Sequence, residues 1–340
     1  MKLPVWLLLL GLCLPVQSFA RTLLFIHGMN DSFTWEPLHP FLKQEMGLTF
    51  GGTLSVSPEL VDGYHPDRGD YFFLKFSSDK SHLEILVSEV AQAMEKLYKD
   101  RKELVEIIGF SVGGVATRLY LIDKPINHHV KKLITFHSPH QGTAWAYFSE
   151  VRRIAYGCKS NPLCDKICEI FYKLGDNRVE ADILLDLIPP NYEKPTGLLA
   201  IKNVQAHPLD VEYVSVVGEA YESKNMNAAI EKLKEGFNGV MSGDVFMPFG
   251  YEITHFVQSL FLGEGGDGAV SIYSQNMANL PWFKNKLKIV KIQRLEENEF
   301  IRFSVRERSR LTVIKTHSTH EYGATNFKLM SLLIRDELWK

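Results

Sequence analysis

The stretch Val105-Glu106-Ile107-Ile108-Gly109-Phe110-Ser111-Val112-Gly113-Gly114 constrains this chain most. Leu104 to Ile108 is a largely apolar run of the kind shown by a strand buried on both faces. It runs into Gly109-x-Ser111-x-Gly113, with Gly114 next. Helical spacing follows, with Val115, Leu119, Tyr120 and Ile122 on one side and Thr117 and Arg118 on the other. A strand, a tight glycine-flanked turn carrying a serine, and a helix form a nucleophile elbow. The turn strains the serine backbone, and neighbours without side chains let the helix start close against the strand. The hydroxyl then stands above the sheet edge, with the Val112 N–H opening the helix into the same space. A plain Gly/Ser connection is the bland alternative, and the strand before and the helix after weigh against it.

The flanking segments set the layers. Arg21 to Ile26 reads as a short buried strand entering His27-Gly28-Met29. Tyr71 to Phe76 reads as another strand. Ser81 and Glu84 then form a capping box for a helix whose Leu83, Leu86, Val87, Val90, Met94 and Leu97 share one face. Lys132 to Phe136 is the strand after the elbow helix, and it ends in His137-Ser138-Pro139-His140-Gln141-Gly142-Thr143-Ala144. Strands alternating with helices in this order imply a parallel sheet with crossover helices. The loop opened by His27-Gly28 can turn the Met29 N–H toward a substrate carbonyl oxygen, where the Val112 N–H would join it as an oxyanion hole. His27 itself is expected to be structural.

Three motifs in this order, His-Gly, GxSxG and Ser-Pro-His-x-Gly-Thr, resemble the lipase-like branch (triacylglycerol lipases and carboxylesterases) of the α/β-hydrolase superfamily. The resemblance covers Arg21 to Ala146 well and the rest more loosely. It implies an α/β fold with a mostly parallel central sheet, helices on both faces and a helical cap or lid insertion. It also implies a hydrolase of carboxylic esters with Ser111 as nucleophile, and it places His140 as a lining or structural residue too early in the chain to be the base. Asp267-Gly268-Ala269-Val270, in a glycine-rich loop starting at Gly263, resembles the loop that carries the triad acid. Glu219, just past the strand-like Val211 to Val217, is the alternative acid. Leu287 to Leu295, Phe300 to Val305 and Leu311 to Lys315 read as strands, and the last leads to the two candidate bases, His320 and His317. His320 fits the loop before the closing helix better. Ser, then Asp, then His is the chain order of this superfamily.

Residues 1–20 read as an export signal: one charge at Lys2, an apolar run from Val5 to Leu14, and small residues before a cut after Ala20. Residues 21–340 then make one domain, secreted or periplasmic/lumenal, with insertions at about 147–210 and 221–263. Cys158, Cys164 and Cys168 fall together, and in an exported protein two of them are expected to pair, with the pairing open. Hydrophobic residues make up 45% of the chain, enough for a large core, and a net charge of −2 argues against nucleic acid as partner. The expected partner is a small-molecule or lipid ester, with transient contact to a membrane or lipid surface. No cofactor is expected. A structural calcium near the Asp267 loop occurs in some relatives, and no ligand set marks one here. An acyltransferase on the same machinery is the alternative activity, and an inactive binding protein on the same fold is the third reading.

Overall fold

The computed structural model describes residues 22–29, 35–57, 63–143, 146, 182–195, 197–218, 266–267, 269–284, 289–295, 300–305, 310–316, 320, 331 and 333–335. The segment read as an export signal, the three clustered cysteines, most of both insertions, Glu219 and His317 lie outside these residues.

Nine strands form one sheet: β1 (Thr22–Ile26), β2 (Phe50–Leu54), β3 (Tyr71–Leu74), β4 (Val105–Phe110), β5 (Val130–Phe136), β6 (Glu212–Gly218), β7 (Ile289–Leu295), β8 (Phe300–Val305) and β9 (Arg310–Thr316). Their order is β2-β3-β1-β4-β5-β6-β9-β8-β7. The seven strands from β2 to β9 are parallel, and β8 and β7 extend the sheet as an antiparallel hairpin. This is the α/β-hydrolase fold expected from the sequence. β1 and β4 are buried at every position, as their largely apolar patterns require.

The pleat sends alternate residues into two cores. Leu24, Ile26, Phe72 and Ile107 face α1 (Leu83–Arg101) and α2 (Val112–Asp123). Leu23, Phe25, Tyr71, Ile108 and Phe136 face the opposite layer, built by Trp35, Leu38, Leu42, Leu333 and Ile334. Each such side chain, fully buried, stabilises the fold by about 1.5–3 kcal/mol. At the sheet's far end from the serine, Glu106, Lys132, Glu212 and Arg310 share one register row across β4, β5, β6 and β9. Lys132 reaches Glu212 at 3.3 Å. Opposite charges at adjacent strands favour this register over a slipped one.

Two readings change. α1 has no capping box: its N-cap is His82, with no side-chain cap from the first turn. The Leu83 N–H donates instead to Asp186 Oδ2 at 2.7 Å, a carboxylate brought from the later short helix Asp182–Asp186. The polar side expected for α2 is also buried, since every residue from Val112 to Ile122 is covered and Arg118 is fully enclosed.

Candidate active site

The site sits at the carboxyl ends of β1, β4, β5 and β9, where a parallel sheet opens toward its loops. Ser111 follows β4 directly with φ 50° and ψ −126°. A side-chain-bearing residue there costs about 1–3 kcal/mol and persists only when its surroundings fix it. They do: the Ser111 N–H donates to Phe136 O at the end of β5 at 2.8 Å. A Cβ on Gly109 would come within 2.6 Å of the Gly114 Cα, and one on Gly113 would strike the His27 carbonyl oxygen. The glycines of the motif are therefore packing requirements as well as turn formers.

Gly28 brings the β1 loop against the serine, since a Cβ added there would lie 2.9 Å from Ser111 Cβ and 3.0 Å from the Phe110 ring. Met29 follows on that loop. Val112 opens α2, so its N–H belongs to the first turn, whose donors have no partner within the helix. His27 is structural, as expected. Its Nε2 accepts the Phe76 N–H at 3.2 Å, which leaves Nδ1–H to donate to Gly28 O at 2.6 Å.

His320 and Asp267 complete a hydrogen-bonded chain to the serine. His320 Nε2 lies 3.1 Å from Ser111 Oγ, and Nδ1 lies 2.8 Å from Asp267 Oδ2. The His320 N–H also donates to the Asp267 carbonyl at 2.8 Å, fixing the two backbones together. Asp267 is fully buried, and its Oδ1 accepts the N–H groups of Ala269 at 2.9 Å and Val270 at 2.7 Å. The carboxylate is thus held as an acceptor toward Nδ1–H, which leaves Nε2 free to take a proton from the serine. The structure brings Ser111, Asp267 and His320 together. The alternatives Glu219 and His317 lie outside the described residues.

A second histidine stands beside Asp267. His137 follows β5 at φ 52°, and its N–H donates to Val216 O at 3.0 Å. Its Nδ1 is 3.6 Å from Asp267 Oδ2, and its ring centroid is 5.9 Å from that of His320. Burial lowers its pKa to about 4, against the opposing pull of Asp267, so the ring is neutral at ordinary pH. Sequence reasoning gave His137 no role, because its motif emphasises the histidine three residues later.

That later residue, His140, belongs to the wall. Its Nδ1 accepts from Arg118 Nε at 3.1 Å, and its Nε2 contacts Thr135 Oγ1 at 3.2 Å. Arg118 also donates to Asn203 Oδ1 at 2.7 Å and contacts His207 Nε2 at 3.3 Å. Burial lowers the guanidinium pKa to about 10, and burial beside this cation holds His140 and His207 well below their usual range. Neutral rings can therefore accept from the cation. The loop after β5 is also tied to the acid's loop: Thr143 Oγ1 donates to Ala269 O at 2.7 Å, and the Gln141 N–H donates to Ser274 Oγ at 3.1 Å. Gln275 closes the assembly, donating to Val270 O at 2.8 Å and accepting the Gly218 N–H at 2.7 Å. No pattern in the sequence marks Ser274 or Gln275.

Residues 22–182, just under half of the 340-residue chain, match the family model described as palmitoyl protein thioesterase. Among curated proteins, none shows significant sequence similarity to the chain. Among solved structures, a Listeria innocua gene product is 13% identical, with a TM-score of 0.47 over 91% of this chain and 92% of its own. A Bacillus licheniformis lipase in mature form is 16% identical, with a TM-score of 0.47 over 94% of this chain and 90% of its own. A Bacillus megaterium epoxide hydrolase is 14% identical, with a TM-score of 0.25 over 58% of this chain and 77% of its own. The family match adds thioesterases to the ester-cleaving relatives that the sequence motifs resemble.

Proposed function

We propose that this chain is a serine hydrolase that cleaves acyl esters, thioesters included, through an acyl-enzyme. The observation that carries this reading is the continuous chain from Asp267 through His320 to Ser111 Oγ, with the serine in a strained elbow. His320 Nε2 takes the hydroxyl proton as Oγ attacks the acyl carbon. The carbonyl oxygen becomes an oxyanion, accepted by the N–H groups of Met29 and Val112. Collapse expels the alcohol or thiol, which leaves with the proton from His320. Water then attacks the acyl-serine, giving its proton to the same nitrogen, and the acid departs as Ser111 Oγ takes that proton back. Asp267 holds the productive tautomer and stabilises the imidazolium throughout.

The thioester half of the proposal is supported by the family match over residues 22–182, and the oxyester half by the three sequence motifs. The test is hydrolysis of matched palmitoyl thioesters and oxyesters, and of shorter homologues, by the protein and by Ser111→Ala. The protein should turn over at least one series, and Ser111→Ala should lose that turnover with an unchanged melting curve. Retained turnover in Ser111→Ala would remove the serine from its role. Product appearing as a new ester when an alcohol is added would mark the acyltransferase alternative.

A further inference from the structure

Proton transfer to and from Ser111 uses one histidine, yet two converge on Asp267. A ligating atom from each of His137, Asp267 and His320 lies within 4.8 Å of those of the other two. Asp267 Oδ2 is the hub, 2.8 Å from His320 Nδ1 and 3.6 Å from His137 Nδ1. The three residues come from separate strand ends and loops, His137 held by its bond to β6 and Asp267 by two N–H groups of its own loop. Two imidazoles and one carboxylate are a donor set for zinc and similar divalent ions, which sit at about 2.0–2.2 Å from each and keep a fourth position for water.

We infer that His137, Asp267 and His320 form an inhibitory site for a divalent transition-metal ion, with zinc the best match. The ion bonds to the Nδ1 lone pair of His320, and the proton formerly there moves to Nε2. Asp267 Oδ2 exchanges its hydrogen bond for a bond to the metal. His137 supplies the third donor through Nδ1 and keeps its own proton on Nε2. No net proton is released by the three ligands, and nothing is oxidised or reduced. The single proton of the neutral His320 ring then sits on Nε2, the nitrogen 3.1 Å from Ser111 Oγ. That nitrogen becomes a donor and can no longer accept the serine proton. Entry is through His320, whose side chain is 18% exposed while those of His137 and Asp267 are 2% and 0% exposed. Without His137 only two donors remain. The inhibitory consequence rests on the proposed roles of His320 and Ser111, whereas binding does not.

The experiment separates the two. Co²⁺ is titrated into the chelator-stripped protein and into Ser111→Ala, and visible absorption is followed. Both should develop the spectrum of a nitrogen/oxygen site without a thiolate charge-transfer band, and Zn²⁺ should displace it. His137→Gln and Asp267→Asn should each bind Co²⁺ at least tenfold more weakly, and two variants guard against a folding failure in one. Zn²⁺ should inhibit hydrolysis by the protein, reversibly by chelation. It should inhibit His137→Gln at least tenfold less well, each relative to its own metal-free rate. Equal Co²⁺ affinity with and without His137, or no spectrum in the intact protein, would overturn the site. Binding that depends on His137 in a protein with no hydrolase activity would support the site and sink the proposed function instead.

Discussion

Asp267 has both carboxylate oxygens committed, one to its own loop and one to His320. An amide in its place can still accept the two loop N–H groups through its oxygen. Its NH₂ then faces His320 Nδ1, and a donor there forces the imidazole to carry its proton on Nε2, against the serine. Asp267→Asn should therefore lower turnover by about 10⁴ while barely moving the melting temperature. Steady-state rates and a melting curve on one preparation check this, and a loss of less than tenfold would detach Asp267 from His320. His137, a residue away from the elbow's Phe136 partner, adopts a backbone angle as unusual as that of Ser111, and no residue-type preference announces it.

At the scale of elements, α1 shows how a cap can come from far away. Asp186 lies 103 residues from the N–H that it accepts, and it also sits 3.1 Å from His82 Nδ1. Asp186→Ala should cost about 1 kcal/mol of stability, as loss of an N-cap does, and Ser81→Ala should cost almost nothing. Urea unfolding of both variants decides between them, and the reverse ranking would restore the local capping box. The sequence pattern marked every strand but β2 to within two residues, and the parallel ones were legible because buried parallel strands are written as apolar runs. β2 was not legible. Its Gly51-Gly52 breaks the strand pattern, and at Gly51 the neighbouring Phe72 ring and Gly69 backbone occupy the space that a Cβ would need. Ser111, Asp267 and His320 were readable because turn glycines and chain order constrain them. His137, Arg118 and Gln275 were not, since each acts through contacts that only the tertiary structure creates.

Across the described residues, four histidines are buried and neutral. Burial lowers the pKa of His27, His137, His140 and His207, that of His137 to about 4. Unfolded, each takes up a proton near pH 6.5, so the native state is fully favoured above that pH and loses ground as pH falls toward 4. His137 alone accounts for about 3 kcal/mol of that loss at the acid end. The urea midpoint should fall clearly between pH 7 and pH 5, and a flat midpoint over that interval would contradict the buried, neutral rings.

The serine and the imidazole that faces it are 209 residues apart in the chain. β9, which leads to His320, must pair with β6 before the two can meet. Under the proposed mechanism, a growing polypeptide carries its hydroxyl unarmed until β9 docks, so the ribosome does not handle a working nucleophile.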